Sequence, residues 1–357
     1  MHCEQGSGSF ADVSNASHPE MEQPESDEPV VLRRDADTVT IHWPAMAGER
    51  MRIEAATNAD PEAPRRAVGM LEAGSATLRS PSRDRTYFLL AAPDGRRQIT
   101  AERQLPFRGH ANFRDLGGYR SADRRTIRWG RLFRSGALSG LDEQDLDLLG
   151  ALGLTLVCDF RSPTERESEP HRFPEDARPE QHAVNHEQLA GALNPDAIRA
   201  RIDEARFADL ETDSLLVDGN ASFATTHRRP FATMLGLACN TGNHPLLVNC
   251  SAGKDRTGFA AAVLLLALGI PRATIRHDYL LTHHYQREER QVRLEQIRQA
   301  AGADPAVLLP LFEARPAYID AAFAAIDEEW GSDEAFLRTG LGMTADQLSD
   351  FRDALLV

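Results

Sequence analysis

Residues 245–268 constrain this chain more than any other stretch. Pro245–Val248 is apolar, Asn249–Gly258 is largely polar, and Phe259–Leu268 is again apolar throughout. Flanks with no polar face must both be buried, so the pattern reads as an internal strand delivering a loop to the first turn of an internal helix. Cys250 opens that loop and Arg256 closes it, with five residues between them. At this spacing a chain can curl around one tetrahedral anion, and the loop is a candidate phosphate cradle.

The chemistry follows from the backbone. A helix N-terminus leaves its first N–H groups unpaired and carries roughly half a positive charge, which favours a bound dianion and an ionised thiol alike. Gly253 permits the positive φ that turns successive N–H groups of Ser251, Ala252 and Gly253 inward as a nest. In such a setting a cysteine pKa falls from about 8.5 into the ~3.5–7.5 range. Cys250 is therefore expected to be a thiolate. Arg256 can grip two phosphate oxygens with its planar fork. Thr257 is expected to place a hydroxyl near the sulfur, and Asp255 is the nearest acid able to protonate a departing oxygen.

The loop Cys250-Ser-Ala-Gly-Lys-Asp-Arg-Thr-Gly258 resembles the signature of cysteine-dependent protein phosphatases, in the bacterial branch typified by the mycobacterial secreted tyrosine phosphatases of type B. Asn112–Tyr119, Leu132–Gly136, Asp159–Ser162 and Asp278–Thr282 match the same branch, so the resemblance spans residues 107–357. It implies Asp255 as general acid, in place of an aspartate on a separate loop. It also implies that Lys254 contacts the substrate, as at a second phosphate of a phosphoinositide. One departure is local: Asn249 stands where the family usually has His before the nucleophile, though an amide can still hold the loop. Of the 40 basic residues only Lys254 is lysine, which suggests that a compact ammonium is wanted there.

Composition sets the outer bounds. A chain of 357 residues can hold two domains, and 41% hydrophobic with 26% charged residues describes a soluble globular protein. Net charge of −14 argues against nucleic acid or an anionic membrane as partner. Cys3, Cys158, Cys239 and Cys250 have no paired spacing, which fits a reducing cytoplasm. An oxidative partnership of Cys158 with Cys250 weighs less than an inert core thiol. Neither a classical signal peptide nor a membrane-length run is indicated, so cytoplasmic location without integral membrane contact is expected, with export by a non-classical route as the alternative.

In chain order, residues 1–29 carry seven acidic and no basic residues and read as a disordered acidic tail. Residues 30–106 hold β-like runs at Thr38–Trp43, Met51–Ala55, Ala76–Arg79, Thr86–Ala91 and Gln98–Ala101, suggesting a small β-sandwich of fibronectin or immunoglobulin type. Residues 107–357 form the expected phosphatase domain. The fold class is thus α/β: a central, mostly parallel sheet flanked by helices, preceded by a β-sandwich-like domain. Almost ninety residues separate Arg161 from Cys250, so an insertion is implied, with a helical lid expected near 187–228.

The strand Leu154–Phe160 is followed by Ser162-Pro163-Thr164-Glu165, a helix start with Ser as N-cap, Pro at the first turn and Glu three beyond. Asp159 and Arg161 then lie at the carboxyl end of a parallel strand, where open α/β sheets gather their sites. Asp159 is a second candidate for proton transfer or for holding Arg256, and Arg161 for meeting the substrate. The alternative is that the two merely pair with loop backbone. His182, His186 and Glu187 could be read as metal ligands, but the order is not His-Glu-x-x-His and the expected chemistry needs neither metal nor cofactor.

The residues point to a phosphomonoester hydrolase acting through a phosphocysteine, on phosphotyrosine or on phosphoserine and phosphothreonine in proteins. A phosphoinositide phosphatase and a catalytically silent phosphopeptide-binding module are the alternatives. An ATP-binding loop is excluded, since Asp255 follows Gly-Lys where Ser or Thr should stand. A rhodanese-like sulfur transferase fits the Arg-Thr-Gly ending poorly.

Overall fold

The computed structural model describes residues 29–357 except 36, 44–47, 61, 80–84, 111, 185–211 and 302–304. The stretch expected as an acidic tail lies, but for Pro29, outside the described residues. So do His186, Glu187 and the first part of the expected lid, 187–211.

Among the described residues seven strands come first: β1 Val30–Asp35, β2 Thr38–His42, β3 Met51–Ala56, β4 Arg66–Leu71, β5 Ser75–Arg79, β6 Tyr87–Ala91 and β7 Arg97–Ala101. They form two antiparallel sheets, ordered β1-β2-β5 and β4-β3-β6-β7. Alternation explains the second: Met51, Ile53 and Ala55 of β3 point inward while Arg52 is exposed. Val39, Ile41, Ile53, Phe88 and Leu90, all fully buried, share one core between the sheets.

The second sheet system is mixed. Strands β8 Arg114–Asp115, β9 Leu132–Ser135, β10 Leu156–Asp159, β11 Glu180–Ala183 and β12 Leu246–Asn249 lie in the order β11-β10-β12-β9-β8. Pairing is parallel except at β8, which runs antiparallel to β9. Every residue of β9, β10 and β12 is buried, as expected of strands covered on both faces.

Helices α1 Glu143–Ala151, α2 Pro163–Ser168, α3 Thr212–Ala224, α4 Arg229–Ala238, α5 Asp255–Ala267, α6 Arg272–Tyr285, α7 Arg287–Ala301, α8 Pro305–Phe312, α9 Pro316–Trp330 and α10 Ala345–Leu355 surround it. The centre is α5, in which every residue from Arg256 to Ala267 is buried. The chain at 187–228 was expected to form a lid. Residues 187–211 lie outside the described set, whereas α3 buries Leu216 and Phe223 in the main core and is a layer of the body. Among the described residues no helix is long and apolar enough to cross a membrane.

The two sheet systems are joined by buried polar contacts as well as by the chain. Asp115 accepts from the Gly117 N–H (2.6 Å) and the Gly130 N–H (2.7 Å), and pairs with the Arg85 guanidinium from the N-terminal sheets. The Trp129 indole N–H donates to the carbonyl of Ile99 at 3.1 Å. Asp115→Ala would leave Arg85 buried without its counter-charge. Chemical denaturation should then give a loss of about 3–5 kcal/mol, and a loss below about 1 kcal/mol would mean that the pair contributes little to holding this junction.

Candidate active site

The sheet register sets the site. Asn249 lies opposite Asp159 on one side and opposite Ser135 on the other, so β9, β10 and β12 end in one row. Cys250 is the next residue, 2% exposed, and α5 starts at Asp255. The strand–loop–helix expected from 245–268 is therefore present, with its loop at the carboxyl edge of the parallel strands.

The loop is held by its carbonyls. Ser251 O accepts the Ala137 N–H (2.9 Å) and Ala252 O accepts Nε2 of Gln286 (2.7 Å). Gly253 O accepts both Nδ2 of Asn112 (3.0 Å) and Nη2 of Arg134 (2.9 Å). Carbonyls drawn outward leave the amides facing the other way. The Gly253 N–H donates to Cys250 Sγ at 3.2 Å, and among the described residues no protein acceptor takes the N–H of Ser251, Ala252, Lys254, Asp255 or Arg256. Such a run of free N–H groups at a helix start is an anion nest. Gly253 is obligatory there: its φ is +69°, and an added Cβ would lie 2.6 Å from the Gly136 nitrogen.

Arg256 is held by Glu165, the residue read from sequence only as a helix cap. Nη1 donates to Oε2 and Nη2 to Oε1, both at 2.8 Å, and Nη1 also donates to Phe160 O at 3.0 Å. Three of the five N–H groups of the guanidinium are thereby used. The side edge, with Nε and the second hydrogen of Nη2, remains for a bidentate partner. Burial works to lower the Arg256 pKa, but the charges of Cys250 and Glu165 more than offset it and raise it above its ordinary value. The same Glu165 carboxylate accepts the Ser162 N–H (2.7 Å) and the Ser251 hydroxyl. One side chain thus caps α2, orients the guanidinium and ties down the loop.

The remaining expected site residues fall in different places. Asp255 is partly exposed, with Oδ1 accepting from the Tyr279 hydroxyl (2.9 Å) and Nδ2 of Asn220 (3.4 Å). Tyr279 reaches it by crossing Gly258, where a Cβ would lie 2.6 Å from the ring. Thr257 is fully buried, and its hydroxyl donates to Ser135 O at 3.4 Å. Lys254, expected at the substrate, turns the other way: it is 3% exposed and its ammonium donates to backbone carbonyls of the helical layer.

Asp159 and Arg161 are engaged with each other. Arg161 Nε lies 3.1 Å from both Asp159 oxygens, Nη2 donates to Oδ2 at 2.9 Å, and Nη1 donates to Glu169 O at 2.5 Å. Burial would raise the Asp159 pKa, but hydrogen bonds from His171 and Arg161 draw it well below the usual carboxylate range. A carboxylate so firmly ionised is a poor proton donor at neutral pH, and the residue holding Arg256 is Glu165 instead. Asn249 places Nδ2 3.0 Å from His171 Nε2 and 3.4 Å from Asp159 Oδ1, so an amide from the strand and an imidazole from a distant loop meet next to Cys250 in the chain. Cys158 is fully buried, and burial pushes its thiol up to about 12. Sequence reading singled out none of Glu165, His171, Gln286, Tyr279 or Asn220 for the site. Glu165 gave a signal as the N3 residue of a capping box at a strand end, and Tyr279 only as part of the matching stretch Asp278–Thr282.

Residues 105–357 match the family model described as the tyrosine phosphatase family. A protein of Cupriavidus necator provisionally named a tyrosine-protein phosphatase is 37% identical over 250 residues, covering 70% of this chain and 88% of its own length. The triple specificity protein phosphatase PtpB of Mycobacterium tuberculosis is 31% identical over 286 residues, covering 72% of this chain and 99% of its own length. A tyrosine-protein phosphatase of Nostoc commune is 26% identical over 225 residues, covering 61% of this chain and 72% of its own length.

The Glu165 grip has a signature in acid. Burial pushes its pKa up, but hydrogen bonds and charge from Arg256 bring it from the usual 4.5 down to about 2. A carboxyl depressed on folding stabilises fully above its unfolded pKa, and that contribution is lost as pH falls towards the folded value. The difference in unfolding free energy between wild type and Glu165→Gln should be constant above pH ~5 and shrink between pH ~4.5 and ~2. Parallel acid limbs in the two proteins would contradict a held carboxylate.

Proposed function

The chain belongs to the tyrosine phosphatase family, and from that premise we propose that it hydrolyses phosphomonoesters through a phosphocysteine at Cys250, acting first on phosphotyrosine in proteins. The observation that carries this reading is the loop itself: a thiol and a guanidinium edge at the two ends of one run of inward N–H groups. Cys250 attacks phosphorus in line, so that an S–P bond forms as the P–O bond to the leaving group breaks. The equatorial oxygens, where charge gathers, meet the amides of 251–256 and the free side edge of Arg256. Because Glu165 already fixes the guanidinium, no reorganisation is required when the phosphoryl group arrives.

Asp255 supplies the proton for the leaving oxygen. It is better suited than Asp159, which is spent on Arg161 and His171. In the second half, water attacks the phosphocysteine and Asp255, now ionised, takes its proton. No cofactor enters either half.

A wider substrate range is favoured by one observation, the name of the mycobacterial relative, a triple specificity protein phosphatase. Phosphoserine, phosphothreonine and phosphoinositides, the alternatives that the sequence leaves open, are the substrate classes to be measured beside phosphotyrosine. A phosphopeptide-binding module without turnover is the alternative of another class. With 4-nitrophenyl phosphate, wild type should turn over while Cys250→Ser falls by at least about 10³-fold yet still binds inorganic phosphate. Equal, near-zero turnover in both proteins would reduce the site to a binder.

A further inference from the structure

An ammonium has three N–H donors and no acceptor. In this chain those of Lys254 meet the carbonyls of Pro310 (3.2 Å), Leu311 (2.8 Å) and Glu313 (3.0 Å). Pro310 and Leu311 belong to the last turn of α8 and Glu313 follows it, so the cation lies where a helix gathers unpaired carbonyls and partial negative charge. The Tyr318 ring from α9 lies 5.4 Å from the nitrogen. A phosphate group could recruit this ammonium only by taking it from three carbonyls, in a side chain that is 3% exposed.

The same nitrogen is 3.3 Å from Asp255 Oδ2. The other carboxylate oxygen accepts from Tyr279 of α6 and Asn220 of α3. Burial and the Asp255 charge keep the Tyr279 hydroxyl protonated, with its pKa well above the usual value, so it serves Asp255 as a fixed donor. Asp255 is thus tethered at both oxygens by groups that are themselves immobilised in the helical layer. The charged groups around Lys254 are Asp255 on its own helix, with Glu313 and Arg315 on the link between α8 and α9.

We propose that Lys254 is a positioning residue: it pins the phosphate loop to the C-terminal end of α8 and aims Asp255 at the leaving oxygen, and it does not read a second phosphate. The proposal rests on the hydrolytic reading above and deepens it. When the P–O bond breaks, its electron pair goes to the leaving oxygen and the Asp255 carboxyl supplies the proton. In the second half the same carboxylate, held in the same place, receives the proton of the attacking water.

The test uses Lys254→Met, which keeps an unbranched apolar stem and removes the charge. kcat/KM of the full-length wild type and variant is measured on aryl phosphates from 2,4-dinitrophenyl to phenyl, and on inositol monophosphate and bisphosphate, as substrates or as inhibitors of aryl turnover. A poor leaving group needs the proton and a good one does not. The variant should lose about tenfold more on phenyl phosphate than on dinitrophenyl phosphate, with equal losses on the two inositol phosphates. A loss selective for the bisphosphate would overturn the proposal in favour of a second-phosphate contact, and a uniform loss across all esters would overturn it in favour of a purely structural role. If Lys254→Met does not fold, Lys254→Arg is read on the same panel, since a planar fork cannot meet three convergent carbonyls and the same leaving-group dependence is expected. Failure of the underlying hydrolytic reading would appear separately, as a wild type no more active than Cys250→Ser.

Discussion

The bidentate pairing of Glu165 with Arg256 is the interaction on which the site depends. Burying a guanidinium is costly unless a counter-charge and hydrogen bonds replace its water. Glu165 supplies both, and it does so from α2, the helix that follows the neighbouring strand. The loop is thereby braced across two adjacent strands, β10 and β12, whose ends the sheet register places side by side. The Ser251 hydroxyl on the same carboxylate extends the brace to the first residue after Cys250.

Behind the loop lies a second buried charge system. Arg114 and Arg134, both fully buried, share the Asp278 carboxylate at 3.2 and 2.7 Å. Burial and the neighbouring Arg114 press Arg134 down to about 10, which still leaves it charged at neutral pH. One Arg134 nitrogen continues to Gly253 O, and Asn112, bonded to Arg114, donates to the same carbonyl. Two cations with one anion leave a net positive charge behind the loop, directed at the carbonyl of Gly253. A pair of apolar residues could fill that volume, but it could not orient a carbonyl.

Much of this was legible because the informative residues were local. All-apolar flanks around a polar loop can only be a buried strand and a buried helix, and positions 245–268 are both. The runs at Thr38, Met51, Ala76, Thr86 and Gln98 lie in strands, because alternation against a core leaves its mark in sequence. Strand β4 left none, since most of its residues are exposed or half-exposed and nothing selects a face. Partner choice was illegible throughout. Glu165 is visible as a cap because its cap partner is three residues away, while its guanidinium partner is 91 residues away. Asp159 was rightly placed at a strand end, but His171 and Arg161 fill its lone pairs, and the His171 loop carries no marker.

The single lysine among 40 basic residues now has a physical reason. Three carbonyls converging from a helix end match a tetrahedral ammonium, whose three donors diverge evenly from one centre, and they mismatch the flat fork of arginine. At Arg256 the demand is the reverse: Glu165 takes one edge of a flat fork, which only a guanidinium offers, and the other edge stays free of Glu165. The loop therefore carries two cations of different shape, one turned to the carbonyls at the end of α8 and one paired edge-on with Glu165. Composition hinted that a compact ammonium was needed at position 254. Which side of the loop needed it was set by residues 310–313, and hence by how the helical layer packs.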